Sequence, residues 1–168
     1  MLKSHELLGF MSPDLANDIL NYAFESDKPT YKAVLNGIAE ARKVRPVFLE
    51  RQSRTQRHVL MVATLSRPGL DQVASNLIRA WLVKKQSAML VDFLDALGIA
   101  HNEGVVDDLP ATVDDAKLKA AIENLLAKHS PEVVAVYLNA FNDMNAASWA
   151  NLKTLLEHDP RLQVGGHA

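Results

Sequence analysis

LIRAWLVKKQSAMLVDFLDAL, residues 77–97, is the stretch whose reading decides the architecture. Leu77, Ile78, Trp81 and Leu82 recur at helical spacing, and so do Met89, Leu90, Phe93, Leu94 and Leu97. Between the two sets, Lys85-Gln86-Ser87 interrupts the apolar period. The reading is therefore two helices joined by a sharp turn, the second packed back on the first. Upstream, Leu70 and Val73 continue the first helix towards the break at Ser66-Arg67-Pro68-Gly69. Downstream, Gly98 stands where a helix C-terminus prefers glycine.

The same pattern returns 44 residues later, at 121–141. Ile78 matches Ile122, Leu82 matches Leu126, Lys84 matches Lys128, Leu94 matches Leu138 and Ala96 matches Ala140. A period of this size is that of helical-hairpin repeats of the HEAT and armadillo type. The echo does not run upstream, because Arg45 and Pro46 stand where Met89 and Leu90 would be matched. Two copies are fewer than a solenoid needs to bury its faces, so the expectation is a bundle that holds at most one HEAT-like repeat pair.

The run Val59-Leu-Met-Val-Ala-Thr-Leu65 tests the helical reading, since its β-branched residues suit a strand. No partner strand is evident elsewhere, and an isolated strand leaves its backbone groups unpaired. The run reads as a helix starting near Ser53, whose S-x-x-Q spacing to Gln56 fits a capping box, and as one buried all round. Ser12-Pro13 opens an earlier helix, and Asp27-Lys28-Pro29 closes it and opens the next. Within that next helix, Gly37 marks a close helix contact or a weak spot. Thr112 or Asp115, then Ser130-Pro131, then a point near Ser148 begin the last three. Together these give an all-α fold of about seven helices in antiparallel hairpins. The organisation is a single domain over 1–164 with a flexible tail at 165–168.

Composition removes several function classes. There is no cysteine, so disulfides and thiolate chemistry are out, and the net charge of -2 gives no global attraction to nucleic acid or membrane. No apolar run reaches the ~18 residues of a membrane span. Met1–Phe10 lacks the form of a signal peptide, and a cytoplasmic location is expected.

The small net charge hides strong segregation. Arg42, Lys43, Arg45, Arg51, Arg54, Arg57 and Arg67 share residues 42–67 with one acid, Glu50. Asp92, Asp95, Glu103, Asp107, Asp108, Asp114 and Asp115 fill 92–115 with no lysine or arginine between them. Solvated faces account for such runs in many proteins. Two functional readings stand beside that. In one, the basic 42–67 and acidic 92–115 segments match between copies of the chain, or against a partner protein, with Glu103, Asp107 and Asp108 as partner-binding residues. In the other, Arg51, Arg54, Arg57 and His58 surround a helix start and receive an anion. That anion is a phosphorylated small molecule or a nucleic-acid backbone. Base stacking is not suggested, since Phe48 is the one aromatic of the stretch.

Catalytic and metal signals are weaker. His101, Glu103, Asp107 and Asp108 are spaced like no standard metal site, and no phosphate-binding glycine motif is present. The paired carboxylates at 107–108 and 114–115 read as turn and cap residues. No cofactor or metal is expected. The leading expectation is a non-enzymatic interaction or adaptor module, with anion binding second and an enzyme third.

Overall fold

The computed structural model describes residues 2–165. Those residues form ten α-helices and two short 3₁₀ turns, with no β-strand. The all-α expectation holds. The flexible tail expected at 165–168 falls, from 166 onward, outside the described residues. The chain divides into two compact units, Lys3–Trp81 and a second that runs from Leu82 onward and takes in Leu2.

The first unit contains α1 (Ser4–Phe10), α2 (Pro13–Ser26), α3 (Lys28–Arg42), α4 (Pro46–Glu50), α5 (Arg54–Leu65) and most of α6 (Asp71–Lys85). The Ser12 hydroxyl accepts the Leu15 N–H, and Asp27 closes α2 while its carboxylate accepts the Thr30 N–H that opens α3. Lys43 ends α3 in the left-handed region at φ 57°. The close contact read into Gly37 is present, since a Cβ there would lie 3.2 Å from Val73 Cγ2. Leu7, Leu8, Ile19, Leu20, Ile38, Met61, Leu65 and Leu77 are buried.

Two features of this unit depart from the sequence reading. α1 and α4 were not foreseen, because seven and five residues carry too few turns for an apolar period to show. The run 59–65 is helical but not buried all round. His58, Met61, Thr64 and Leu65 are buried while Val59 is 68% exposed. One face of a helix is enough for the neighbours it has, so composition alone overstated the burial.

The second unit holds α7 (Ser87–Ala96), α8 (Asp115–Lys128), α9 (Pro131–Met144) and α10 (Ala150–His158). α6 and α8 start 44 residues apart, and so do α7 and α9. Phe93, Tyr137, Phe141 and Trp149 form an aromatic cluster at the core, with centroids 5.2–6.0 Å apart. Burial raises the Tyr137 hydroxyl far above its ordinary pKa. Some helix starts differ from expectation in detail. Asp114, rather than Thr112 or Asp115, accepts the Lys117 N–H at the head of α8. α10 begins at Ala150, because Ser148 sits at φ 57° and breaks the chain direction. The loop between α7 and α8 is tied down from α10. Trp149 Nε1 donates to the Pro110 carbonyl at 2.7 Å, and Asn151 Nδ2 donates to the Val113 carbonyl at 2.9 Å.

Candidate functional site

The basic stretch of the first unit divides into a locked group and an exposed group. Ser53 accepts the Gln56 N–H and so starts α5, which carries Arg54, Arg57 and His58 in its first turns. Arg54 donates to Glu25 at 3.0 Å and lies 4.1 Å over the Phe24 ring. Arg57 donates to the Tyr31 hydroxyl at 3.2 Å and towards the Gln52 carbonyl, and its Nε is buried without a partner.

His58 is only 1% exposed. Its Nε2 lies 2.9 Å from Tyr31 Oη and its Nδ1 lies 3.3 Å from Asn17 Oδ1. Asn17 Oδ1 can only accept, so Nδ1 carries the proton and Nε2 accepts from Tyr31. The donors then run in one direction: Arg57 to Tyr31, Tyr31 to His58, His58 to Asn17. A second proton on the ring would break this order. Burial, reinforced by the Arg57 and Arg54 charges, brings the His58 pKa down to about 4. With no face open to substrate, His58 holds the arginine–aromatic cluster together and is not placed to act as a base.

The exposed group surrounds α4. Val44, Val47 and Phe48 are exposed there, Phe48 at 54%. Among the described residues Lys43, Arg45 and Arg51 make no ion pair, and the Arg51 guanidinium lies 6.0 Å from the Phe48 ring centroid. The structure therefore gathers Arg54, Arg57 and His58 around Phe24 and Tyr31, and leaves Arg51 beside Phe48 in the open. The exposed apolar residues were missed in the sequence. The available signal was that Pro46–Glu50 is too short a helix to bury every apolar side chain it carries.

The acidic stretch lies in the second unit and divides in the same way. Asp92 meets His129 at 3.2 Å and Asp95 meets His101 at 2.7 Å. His101 Nδ1 accepts the Gly104 N–H, so its proton is on Nε2 and points to Asp95. Asp114 caps α8, and Asp115 accepts from Asn151. Glu103, Asp107 and Asp108 remain exposed without an ion pair among the described residues. Asn102 and Val105 exchange both backbone hydrogen bonds across Glu103 (φ 52°) and Gly104 (φ 88°). These are the positive φ values of a tight type I′ turn. The turn lifts Glu103 to its tip, next to the exposed Val105.

None of the described helices is long and apolar enough to cross a membrane. No family model matches the chain, and neither a curated protein nor a solved structure matches it significantly.

Proposed function

We propose that this chain is a non-enzymatic protein–protein interaction module that binds through α4 and its flanks. The observation that carries the reading is the exposure of Val47 and Phe48 on a five-residue helix flanked by Arg45 and Arg51. Water-exposed aromatic and aliphatic side chains are costly in isolation, and arginine and phenylalanine are the residues enriched where interfaces form. The fitting partner presents acidic and apolar side chains together. The turn at 102–108 has that chemistry, with Glu103, Asp107 and Asp108 around Val105, so a second copy of the chain is the partner of choice. Glu103 supports the reading further. A non-glycine residue at φ 52° is a mildly strained choice, and strain of this kind concentrates where a side chain has a task.

The anion alternative keeps one specific support, the unpartnered buried Nε of Arg57 close to the start of α5. Against it, Glu25 already neutralises Arg54.

A titration monitored by amide NMR tests both. Raising the protein concentration at low ionic strength is expected to shift amides of 43–51 and 102–108 together. Shifts at 54–58 on adding inorganic phosphate, with 43–51 unmoved by concentration, would replace the first reading by the second. No shift in either titration removes both the second copy as partner and the anion as ligand.

A further inference from the structure

A hollow of about 460 Å³ opens in the second unit against α9 and α10, well away in sequence from α4 and from the acidic turn. This size is within the range of small-molecule sites. Its polar lining is unusual in what it still offers. Asn139 donates both Nδ2 hydrogens, to the Ala135 carbonyl at 2.8 Å and to the Leu162 carbonyl at 2.9 Å. Only its oxygen remains for a guest. Asn142, one helical turn further along α9, is 5% exposed, and its Oδ1 is buried with no partner. A buried acceptor left without a donor is rare in folded proteins and asks for an explanation.

The wall supplied by α10 adds charge of both signs. Lys153 and Glu157 stand one turn apart on that helix and line the hollow, and neither makes an ion pair among the described residues. Leu156 and Val164 add buried apolar surface to the lining, beside Leu2 and Gln163. Two carboxamide oxygens and a carboxylate suit an ammonium group, Lys153 suits a carboxylate, and Leu156 with Val164 suits an aliphatic side chain.

We propose that this hollow binds a zwitterionic small molecule, an apolar α-amino acid. Its ammonium faces Asn139, Asn142 and Glu157, its carboxylate faces Lys153, and its side chain rests on Leu156 and Val164. The assignment is independent of the α4 reading and stands or falls separately.

The test is an NMR titration of the full chain with leucine, with isocaproate, which lacks the ammonium, and with isoamylamine, which lacks the carboxylate. Wild-type protein is expected to give saturable shifts at Asn139 and Asn142 with leucine. The two truncated analogues are expected to bind at least about tenfold more weakly, since each leaves a charged group unanswered. Glu157→Gln and Lys153→Met alter side chains at the rim, so their spectra elsewhere should match wild type. Each is expected to weaken leucine binding about tenfold. The proposal is overturned by the absence of saturable shifts with leucine, by equal binding of either analogue, or by unchanged affinity in either variant.

Discussion

Single residues carry two sharp consequences. His58 is neutral in the fold, with its pKa at about 4 against an ordinary value of 6.5. The unfolded chain therefore binds a proton that the folded chain refuses as pH falls below 6.5. Stability contributed by neutral His58 is fully present above that value and is lost between pH 6.5 and about 4. The loss amounts to up to about 3 kcal/mol. Urea unfolding at a series of pH values should show this slope, and His58→Gln should flatten it. A slope that survives the substitution would assign the effect elsewhere. Gly104 gives the second case. At φ 88° it suits no side chain, and a Cβ would lie 2.7 Å from Leu90 Cβ. Gly104→Ala is expected to cost about 2–4 kcal/mol, the sum of a left-handed backbone penalty and overpacking. A urea midpoint equal to wild type would contradict it. Neither effect was readable from sequence. His58 before an apolar run gave no sign of Tyr31 or Asn17, which lie 27 and 41 residues away.

At the scale of elements, what the sequence displayed was local, and what it hid was tertiary. Ser12-Pro13 and Asp27-Lys28-Pro29 announced helix ends because a capping oxygen and a proline act within a single turn. α5 was legible as a helix, yet its exposed Val59 was not, since burial depends on which neighbours a helix finds. Ser130-Pro131 shows the limit of the cap signal, as α9 starts there without a side-chain cap from Ser130. The hollow beside α9 was invisible for the same reason. Asn139 and Asn142 carry no local signal, and it is the 3₁₀ turn Pro160–Leu162 that brings the Leu162 carbonyl to Asn139. Two long-range bonds hold the loop between α7 and α8 against the start of α10. Trp149 ties the 97–114 loop to the start of α10 through the Pro110 carbonyl. Trp149→Phe keeps an aromatic ring in the cluster but deletes that donor and leaves a cavity where the rest of the buried indole stood. It is expected to cost about 2–4 kcal/mol and to speed hydrogen exchange most in the loop. Uniform acceleration across the chain would mean that the tryptophan acts through global stability instead.

For the molecule as a whole, charge segregation was the most legible functional signal, and the structure sorts it. Four of the seven acids between 92 and 115 are engaged within their own unit: Asp92, Asp95, Asp114 and Asp115. Arg42, Arg54 and Arg57 are likewise engaged in theirs. Glu103, Asp107 and Asp108 in one unit, and Lys43, Arg45 and Arg51 in the other, make no ion pair among the described residues, each set with exposed apolar residues near it in sequence. If copies meet through these two surfaces, as proposed, the charges of the contact can be exchanged in pairs. Arg45→Glu with Arg51→Glu should abolish self-association at low ionic strength, and so should Asp107→Lys with Asp108→Lys. An exposed ion pair contributes about 0.5 kcal/mol, and reversal converts attraction into repulsion of similar size. Two reversals then weaken the dissociation constant by roughly 30-fold. Mixing the two variants restores complementarity at both junctions, and so does combining all four substitutions in one chain. Sedimentation should therefore find each double variant monomeric, with the mixture and the fourfold variant associated as wild type is, and all association declining with added salt. A wild type that stays monomeric at low salt, or a mixture that fails to recover association, removes the second copy as the partner and leaves α4 to a different acidic protein.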